Sequence, residues 1–451
     1  MPKPTDIRLC EVRSSTQGIK YRAPIKFGGR VVNDVVILDV AVEVETRDGR
    51  RGQGLGSMPM GNVWAWPTDR TPAEKTLAAM IELGHQRARE AGRYRGSGHP
   101  LEITRHLDST AAAAAAEAVR AAGVTEPMPR LAQLVAASPL EAAIHDAYGK
   151  TLGQNAYNLL GPEFVNADLA ACLTPEFAGE YLDRYTLRSP KPRMPLYHLV
   201  GALDPLTAAD VKRPIGDGLP ETLPEWIAAD GLTHLKIKLD GADLAWDVER
   251  VVAVERVAAE AQAARGCTEW HYSADFNERC RDAQYVLDFL AKLAEQAPEA
   301  LRRLQYIEQP THRDLGRAGP EHRMHRAAQI KPVVIDESLV DLESLQRSRE
   351  LGYSGVALKA CKGHSEALLM GAAAQKYGMF LCIQDLTCPG RSFLHSASLA
   401  ARIPGVAAVE GNGRQYCPAG NRIEAQRFPA MFHITDGTLG TGVLDGPGLG
   451  F

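Results

Sequence analysis

The chain has 451 residues, of which 45% are hydrophobic and 24% charged, a composition typical of a soluble globular enzyme. It has 51 Lys and Arg residues and 55 Asp and Glu residues. The resulting net charge of −4 argues against nucleic acid or an anionic membrane as a partner. The eight cysteines form no C-x-x-C pair, which favours reduced thiols over a disulfide framework or a zinc site. No run resembles a signal sequence or reaches transmembrane length, so we expect a cytoplasmic protein.

Strand patterns followed by helical patterns fill residues 1–160, and this order predicts an α+β domain. Residues 35–45 are rich in β-branched side chains, and Asp48-Gly49 supplies a hairpin turn after them. The glycine-rich stretch 52–67 has two open interpretations: a mobile flap over a ligand, or a loop packed on its own domain. Ser138-Pro139 predicts the start of a new helix.

After an irregular segment at 161–192, short apolar runs alternate with amphipathic stretches as far as residue 425. Eight such units predict a parallel (β/α) barrel over residues 193–425, with 426–451 folding back on the first domain. The predicted strands are Pro195–Gly201, Thr233–Lys238, Trp270–Asp275, Leu304–Glu308, Val333–Asp336, Gly355–Lys359, Phe380–Gln384 and Val406–Glu410.

Charged residues end five of these strands in succession. Because barrel active sites lie at the carboxyl ends of the strands, we expect these side chains to converge. They are Lys236 and Lys238 on the second strand, Asp275, Glu308 and Asp336 on the third to fifth, and Lys359 on the sixth. Three carboxylates without histidine or cysteine favour Mg²⁺, with Mn²⁺ as an alternative. Such a metal stabilises charge when a base removes the proton α to a substrate carboxylate, which is a role open to the lysines.

The ordered motifs LKIKL, SADFNE, YIEQP, VVIDES and ALKACKGHSEAL resemble the enolase superfamily, most closely its muconate lactonizing enzyme-like subgroup. The DGRRGQG hairpin and SPLEAAIHDAYGKTLGQNAYNLLG resemble the capping domain of that superfamily. The resemblance implies a modified (β/α)7β barrel with an N-terminal α+β capping domain. It also implies a small carboxylic acid as substrate and a homo-oligomer.

Carried over by residue, the resemblance implies Asp275, Glu308 and Asp336 as Mg²⁺ ligands and Lys238 and Lys359 as acid/base residues. Lys236 would tune Lys238 and contact the substrate carboxylate. The residues expected to support this centre are Asn277, Gln309, Asp385 and Glu410. Glu337 is expected to point away from the ligands. Two capping loops, about 18–30 and 55–68, are expected to select the substrate, through Lys20, Tyr21, Arg22, Lys26, Met58 and Trp64.

Three departures from the family pattern narrow the prediction. His364 replaces a small residue expected near the mouth of the barrel. The seventh strand ends in Gln384-Asp385, which argues against the histidine-based dehydratases, and the eighth ends in EGNG, not the D-x-D of dipeptide epimerases.

The expected function is Mg²⁺-dependent proton abstraction through an enediolate, leading to racemisation, epimerisation or cycloisomerisation. β-Elimination on the same scaffold stays open. So do two alternatives from other classes, an aldolase with a Schiff-base lysine and a non-catalytic metal-binding barrel.

Overall fold

The computed structural model describes residues 2–27 and 30–451. Its first part is a three-stranded antiparallel sheet of order β1-β2-β3, with β1 Ile7–Phe27, β2 Arg30–Thr46 and β3 Arg51–Pro59. The predicted Asp48-Gly49 turn joins β2 to β3, and Gly49 takes the left-handed backbone (φ 87°) that glycine adopts without steric cost.

Five helices complete this part, which we call the cap. They are α1 Asn62–Ala65, α2 Ala73–Arg93, α3 Pro100–Asp108, α4 Ala111–Ala121 and α5 Arg130–Leu152.

Residues 52–67 are not the loop that both interpretations assumed, because most of this stretch is the regular strand β3 followed by α1. Gly52, Gly54 and Gly56 alternate along β3 and face α5. A Cβ atom at Gly54 would overlap the backbone of Ala147, and one at Gly56 the backbone of Pro139. The glycines are therefore needed for close packing of a strand on a helix, and they do not mark a loop.

The helix start predicted at Ser138-Pro139 is also wrong, because α5 runs through it without a break. Proline has no backbone N–H to donate to the carbonyl four residues earlier. The Ser138 hydroxyl donates to that carbonyl, of Val135, at 2.9 Å and replaces the missing donor.

The predicted irregular segment contains only short 3₁₀ turns. They lie at Leu169–Ala171, Pro175–Phe177 and Leu182–Arg184, and one more such turn, Ala156–Leu159, precedes the segment.

Eight parallel strands then form a closed barrel, in which the last strand pairs with the first. They are β4 Met194–Val200, β5 His234–Lys238, β6 His271–Asp275, β7 Leu304–Glu308, β8 Val333–Ile335, β9 Gly355–Leu358, β10 Phe380–Ile383 and β11 Val409–Glu410. Every predicted strand is found, with ends within three residues of those expected. The predicted barrel with an α+β cap is thereby confirmed.

Helices surround the barrel. They are α6 Leu223–Asp230, α7 Leu244–Ala264, α8 Ala283–Gln296, α9 Pro298–Arg303, α10 His325–Ala328, α11 Leu342–Glu350, α12 His364–Lys376, α13 Arg391–Arg402, α14 Gly413–Tyr416, α15 Arg422–Arg427 and α16 Pro429–Phe432. Further 3₁₀ turns lie at Ala208–Asp210, Leu315–Arg317, Pro320–His322, Ala360–Lys362, Pro418–Asn421 and Thr441–Val443. Among residues 2–27 and 30–451, no helix is long and apolar enough to cross a membrane.

The C-terminal residues touch both parts of the chain. A short strand, β12 Thr438–Leu439, pairs antiparallel with β4. Further on, the Leu449 amide donates to Asp146 of α5 at 3.0 Å. The boundaries at residues 160, 192 and 425 stay predictions.

Candidate active site

Strand register brings the predicted ligands together at one end of the barrel. Lys238 lies opposite Asp275, and Asp275 opposite Glu308, in the pairing of β5, β6 and β7. Glu308 in turn pairs with Val334, two residues before Asp336. The three carboxylates are at most 1% exposed, so their charges must be compensated from within the protein.

Lys236 lies at the centre of these groups. Its Nζ atom donates to Glu308 at 2.9 Å, to Gln384 at 2.7 Å and to Glu410 at 3.1 Å, and it is 3.1 Å from Asp275 Oδ2. Four short contacts leave this ammonium group little freedom. Its geometry is that of a fixed charge.

Lys238 and Lys359 lie on opposite sides of the carboxylates. Lys238 Nζ is 2.5 Å from Asp275 Oδ2, and Lys359 Nζ is 2.9 Å from Asp336 Oδ2. A fourth lysine, Lys362, is 3.1 Å from Asp336 Oδ1. The sequence placed Lys362 only as a neighbouring structural lysine, yet it contacts a predicted ligand directly.

We call these groups the lysine–carboxylate cluster. Its members are Lys236, Lys238, Lys359 and Lys362 with Asp275, Glu308, Asp336, Glu337, Asp385 and Glu410.

Opposite charges outweigh burial for the lysine at the centre of the cluster. Burial lowers the pKa of Lys236, but the charges of Glu308 and Glu410 raise it by more, to well above its ordinary value. For Asp275, burial raises the pKa, but Lys238 and Lys236 lower it by more, to well below the usual range.

The far side of the cluster follows the same rule. Burial disfavours the charge on Asp336, yet Lys359 and Lys362 lower its pKa to about 2. Burial likewise disfavours the charge on Lys359, but Asp336 raises the pKa of this lysine well above its ordinary value.

Carboxyl groups without enough positive neighbours behave differently. Burial, and then the charge of Asp275, raise the pKa of Glu308 well above its usual range. Burial raises the pKa of Glu337 to about 7, with Asp336 as the next cause, and it raises that of Asp385 to about 7, with Glu410 next. Burial is the largest cause of the raised pKa in all three groups, and repulsion from a neighbouring carboxylate is the next.

The donor set suits a hard divalent cation. Asp275, Glu308 and Asp336 offer carboxylate oxygens, which are the ligands that Mg²⁺ prefers. Asp336 Oδ1, although 3.1 Å from Lys362 Nζ, has no hydrogen bond within the described residues. The side chains are not arranged as a ready metal site: in residues 2–27 and 30–451, no three His, Cys, Asp or Glu groups gather around one point. The lysine ammonium groups lie between the carboxylates.

Two of the predicted supporting residues, Asn277 and Gln309, contact the cluster, and both have a left-handed backbone conformation. The side-chain oxygen of Asn277 (φ 45°) accepts from Lys238 Nζ at 3.0 Å, and the backbone N–H of Asn277 donates to Asp275 at 2.8 Å. Gln309 (φ 32°) accepts from the backbone N–H of Asp336 at 2.8 Å. A non-glycine residue costs free energy in this region, and such strain is commonest where function requires it.

The other two supporting residues close the ring. The Asp385 carbonyl accepts from Lys359 at 3.2 Å, and Glu410 accepts from Lys236. The sequence presents Gln384 only as the end of the seventh strand, but its side chain bonds Lys236, Glu308 and Tyr306. Its position one residue after β10, level with the other strand ends, was the available signal.

The cap residues expected to select substrate divide into two groups. Trp64, Lys26 and Met58 reach the barrel: Trp64 lies over Lys359, Lys26 lines a cavity with Lys238, and Met58 Sδ is 3.7 Å from Cys388 Sγ.

The remaining candidates lie with Lys26 on the hairpin of β1 and β2, and two of them also contact residues beyond the cap. Arg22 pairs with Asp217 at 2.6 Å and Tyr21 lies near Tyr416, whereas Lys20 is exposed and opposite Asp34 in the sheet. The expected loop at 18–30 is largely strand, and its residues 28 and 29 lie outside the described part of the chain.

A cavity of about 280 Å³ opens beside Lys238. Its charged lining residues are Lys26 of the cap and Lys238, Asp240, Asp243 and Arg279 of the barrel, so three basic and two acidic side chains border it. Leu203 lines both this cavity and a larger one of about 460 Å³ that extends to Arg22.

His364 begins α12, two residues after Lys362, and is 1% exposed beneath the cap. It belongs to a series of four buried imidazoles, which we call the histidine chain. The members are His99, His145, His364 and His395, with ring centroids 4.5 to 6.4 Å apart along the series. His364 and His395 are hydrogen-bonded at 3.1 Å, and His145 bonds Ser365 at 2.9 Å.

Comparison with known proteins identifies the family. Residues 219–451, just over half of the chain, match the family model described as enolase C-terminal domain-like. No curated protein matches the sequence.

Solved structures share the whole fold at low sequence identity. A dipeptide epimerase from Enterococcus faecalis V583, complexed with Mg and L-Leu-L-Tyr, is 16% identical with a TM-score of 0.62, over 98% of this chain and 99% of that one. For muconate lactonizing enzyme from Pseudomonas fluorescens the values are 17%, 0.58, 98% and 96%. For N-succinyl Arg/Lys racemase from Bacillus cereus ATCC 14579 they are 16%, 0.63, 98% and 95%.

The family match and the barrel-and-cap fold agree with the resemblance carried by the five strand-end motifs, and that prediction is confirmed. The chain belongs to the enolase C-terminal domain-like family, and with it to the enzymes of the enolase superfamily.

Proposed function

We propose that the protein removes the proton α to the carboxylate of a small organic acid and returns a proton to the resulting enediolate. The products are those of a racemase, an epimerase or a cycloisomerase. One observation carries the proposal: two lysines, Lys238 and Lys359, flank three buried carboxylates from opposite sides. A planar intermediate held between two such groups is open to protonation on either face.

Asp275, Glu308 and Asp336 are the residues that would hold Mg²⁺, with Mn²⁺ as an alternative. When bound, the metal offsets the negative charge that develops on the substrate carboxylate as the α-proton leaves. Lys236, fixed by four contacts, supplies a second positive charge for the same carboxylate. Among the relatives, the E. faecalis epimerase was solved with Mg, and so was a Bradyrhizobium enolase with mandelic acid.

The lining of the 280 Å³ cavity has three basic side chains against two acidic ones, and this small excess favours a substrate with a second acidic group. Lys26 and Arg279 border the cavity beside Lys238, and Arg279 is 3.2 Å from Asp240 at its rim. An acidic substituent there would compete with Asp240 for Arg279 and would face Lys26 directly. The lysine pair fits racemisation, cycloisomerisation and β-elimination equally, since all three share the first step.

The test is ¹H NMR of the protein with Mg²⁺ in D₂O against amino-acid derivatives, hydroxy acids and lactones, with and without a second acidic group. Deuterium at a carbon α to a carboxylate is expected, with no exchange in EDTA-treated samples. Binding of Mg²⁺ without exchange in any compound would favour the non-catalytic barrel. Trapping of a lysine by borohydride in the presence of substrate would favour the aldolase.

A further inference from the structure

Trp64 of the cap forms two contacts at the mouth of the barrel. It lies in α1, immediately after β3, and is 5% exposed. Its ring centroid is 4.2 Å from Lys359 Nζ and 6.0 Å from Lys362 Nζ. Its indole Nε1–H donates to Glu337 Oε1 at 2.9 Å. The ring is therefore held at its edge by a carboxylate while its face meets the ammonium group.

Glu337 was expected to point away from the ligands, but it joins the two sides of the site. The same oxygen, Oε1, also accepts from Asn277 Nδ2 at 3.3 Å, and Asn277 accepts from Lys238. A series of contacts thus runs from Lys359 through Trp64, Glu337 and Asn277 to Lys238. Within this series, the contact that joins the cap to a lysine is the one between Trp64 and Lys359.

Lysine has a four-carbon side chain whose position must be fixed by its neighbours. Lys359 has Asp336 at 2.9 Å and the Asp385 carbonyl at 3.2 Å as polar partners, both from the barrel. The tryptophan face is the third boundary. An ammonium group in a desolvated site is attracted to such a face, so loss of the ring would allow the side chain other positions.

We propose that Trp64 is a positioning residue, which holds the Lys359 ammonium group against the face of the substrate that this lysine serves. The proposal rests on the proposed function, and adds that chemistry on one face depends on the cap. Glu337 orients the indole ring. Lys238 is three contacts away from Trp64, and Asp275 and Asn277 of the barrel contact it, so loss of the indole ring should leave exchange on the opposite face unchanged.

The first experiment measures α-deuterium exchange separately for the two enantiomers of a substrate. Lys359→Ala identifies the enantiomer that Lys359 serves. Trp64→Leu should slow exchange of that enantiomer about tenfold, the order of a desolvated cation–π contact, and leave the other within about twofold. Trp64→Phe keeps the ring face and loses the bond to Glu337, so a smaller decrease is expected. Trp66→Phe, in a neighbouring residue that is 2% exposed, is the control and should change neither rate.

Equal slowing of both enantiomers, or no slowing in Trp64→Leu, would overturn the proposal. If Trp64→Leu does not fold, the same enantiomer comparison with Trp64→Phe decides. Wild-type protein that exchanges neither enantiomer would count against the proposed function, and the next measurement would then decide the role of Trp64.

The second experiment needs no substrate. The indole N–H signals of ¹⁵N-tryptophan-labelled protein are assigned by loss of one signal in Trp64→Phe. Lys359→Met should shift the Trp64 signal more than Lys362→Met does, because the Nζ distances to the ring are 4.2 and 6.0 Å. Glu337→Gln should shift it through the hydrogen bond. A Trp64 signal unchanged by Lys359→Met would refute the contact and the proposal together.

Discussion

Two buried regions of this protein contain ionisable side chains, which are charged in one region and neutral in the other. The lysine–carboxylate cluster keeps its charges: neighbouring carboxylates hold the pKa of Lys236 well above normal although burial lowers it. The histidine chain has few counter-charges, and burial lowers the pKa of His395 to about 4 and that of His99 to about 3. Its imidazoles are therefore neutral at pH 7. Burial permits charge only where opposite charges surround it.

The difference also separates chemistry from structure. The charged cluster lies at the carboxyl ends of the barrel strands and borders a cavity, whereas the histidine chain joins α3 and α5 of the cap to α12 and α13 of the barrel. We expect the first to carry the reaction and the second to hold the cap in place. Variants in each region test this assignment.

The largest effects are expected from the two flanking lysines. Lys238→Ala and Lys359→Ala should each slow α-proton exchange by on the order of 10³-fold, the range of a general acid or base, each for a different enantiomer. The measurement is deuterium incorporation by NMR. His145→Gln, in the histidine chain, is the control and should leave both rates within about twofold. Full exchange in both lysine variants would refute the acid/base assignment.

Removal of a predicted metal ligand should have the next largest effect. Asp275→Asn keeps the size of the side chain but removes a charge, so we expect Mg²⁺ affinity to fall by roughly 100-fold. Isothermal titration calorimetry with Mg²⁺ and Mn²⁺ measures it. Asp240→Asn, which removes a carboxylate at the rim of the cavity, should change the affinity little. Unchanged affinity in Asp275→Asn would show that the ligand set is wrong.

The charged cluster was predictable from the sequence except for Lys362 and Glu337, and the histidine chain was not. Strand ends can be read from short apolar runs, and the barrel brings consecutive ends to one place, so Lys238, Asp275 and Glu308 could be grouped before their register was known. His145 and His364 are 219 positions apart and meet only because the cap docks on the barrel. No local pattern records such a contact.

The errors within the cap have the same origin. Glycine favours loops in general, but at Gly54 and Gly56 it is required by the backbone of α5. Ser138-Pro139 is a good helix start unless the serine hydroxyl replaces the missing donor, as it does here. The contacts of Trp64 with Lys359 and Glu337 join residues of the cap to distant barrel residues, so the sequence offered only the unusual tryptophan itself.

The histidine chain should make the protein sensitive to acid. The folded-state pKa of His395 is lowered to about 4, below the unfolded value near 6.5, so protons bind the unfolded state first and stability is lost as the pH falls from 6.5 toward 4. The free energy of unfolding, measured in urea, should decrease between pH 7 and pH 5 in the wild type. In His395→Gln we expect this decrease to be smaller by about 2 kcal/mol.

Two glutamates beside the histidine chain act in the other direction. Burial raises the pKa of Glu141 to about 7 and that of Glu366 to about 8, so the folded state takes up these protons first and gains stability as the pH falls through this range. Both are present in the wild type and in His395→Gln, so their contribution cancels in the difference. An equal loss of stability in the two proteins would mean that His395 is not buried in the neutral form.

The smallest effect is expected from Lys26, the cap residue that lines the cavity beside Lys238. If an acidic substituent of the substrate faces Lys26, then Lys26→Ala should raise KM about fivefold for a substrate with that group and leave KM unchanged for the matched compound without it. Lys20→Ala, on the exposed part of the same hairpin, is the control. Equal changes for the two compounds would remove the acidic group from the proposal. A change confined to the acidic compound would show that a charged residue of the cap takes part in substrate binding. The contact that the histidine chain makes between the cap and the barrel, by contrast, is uncharged.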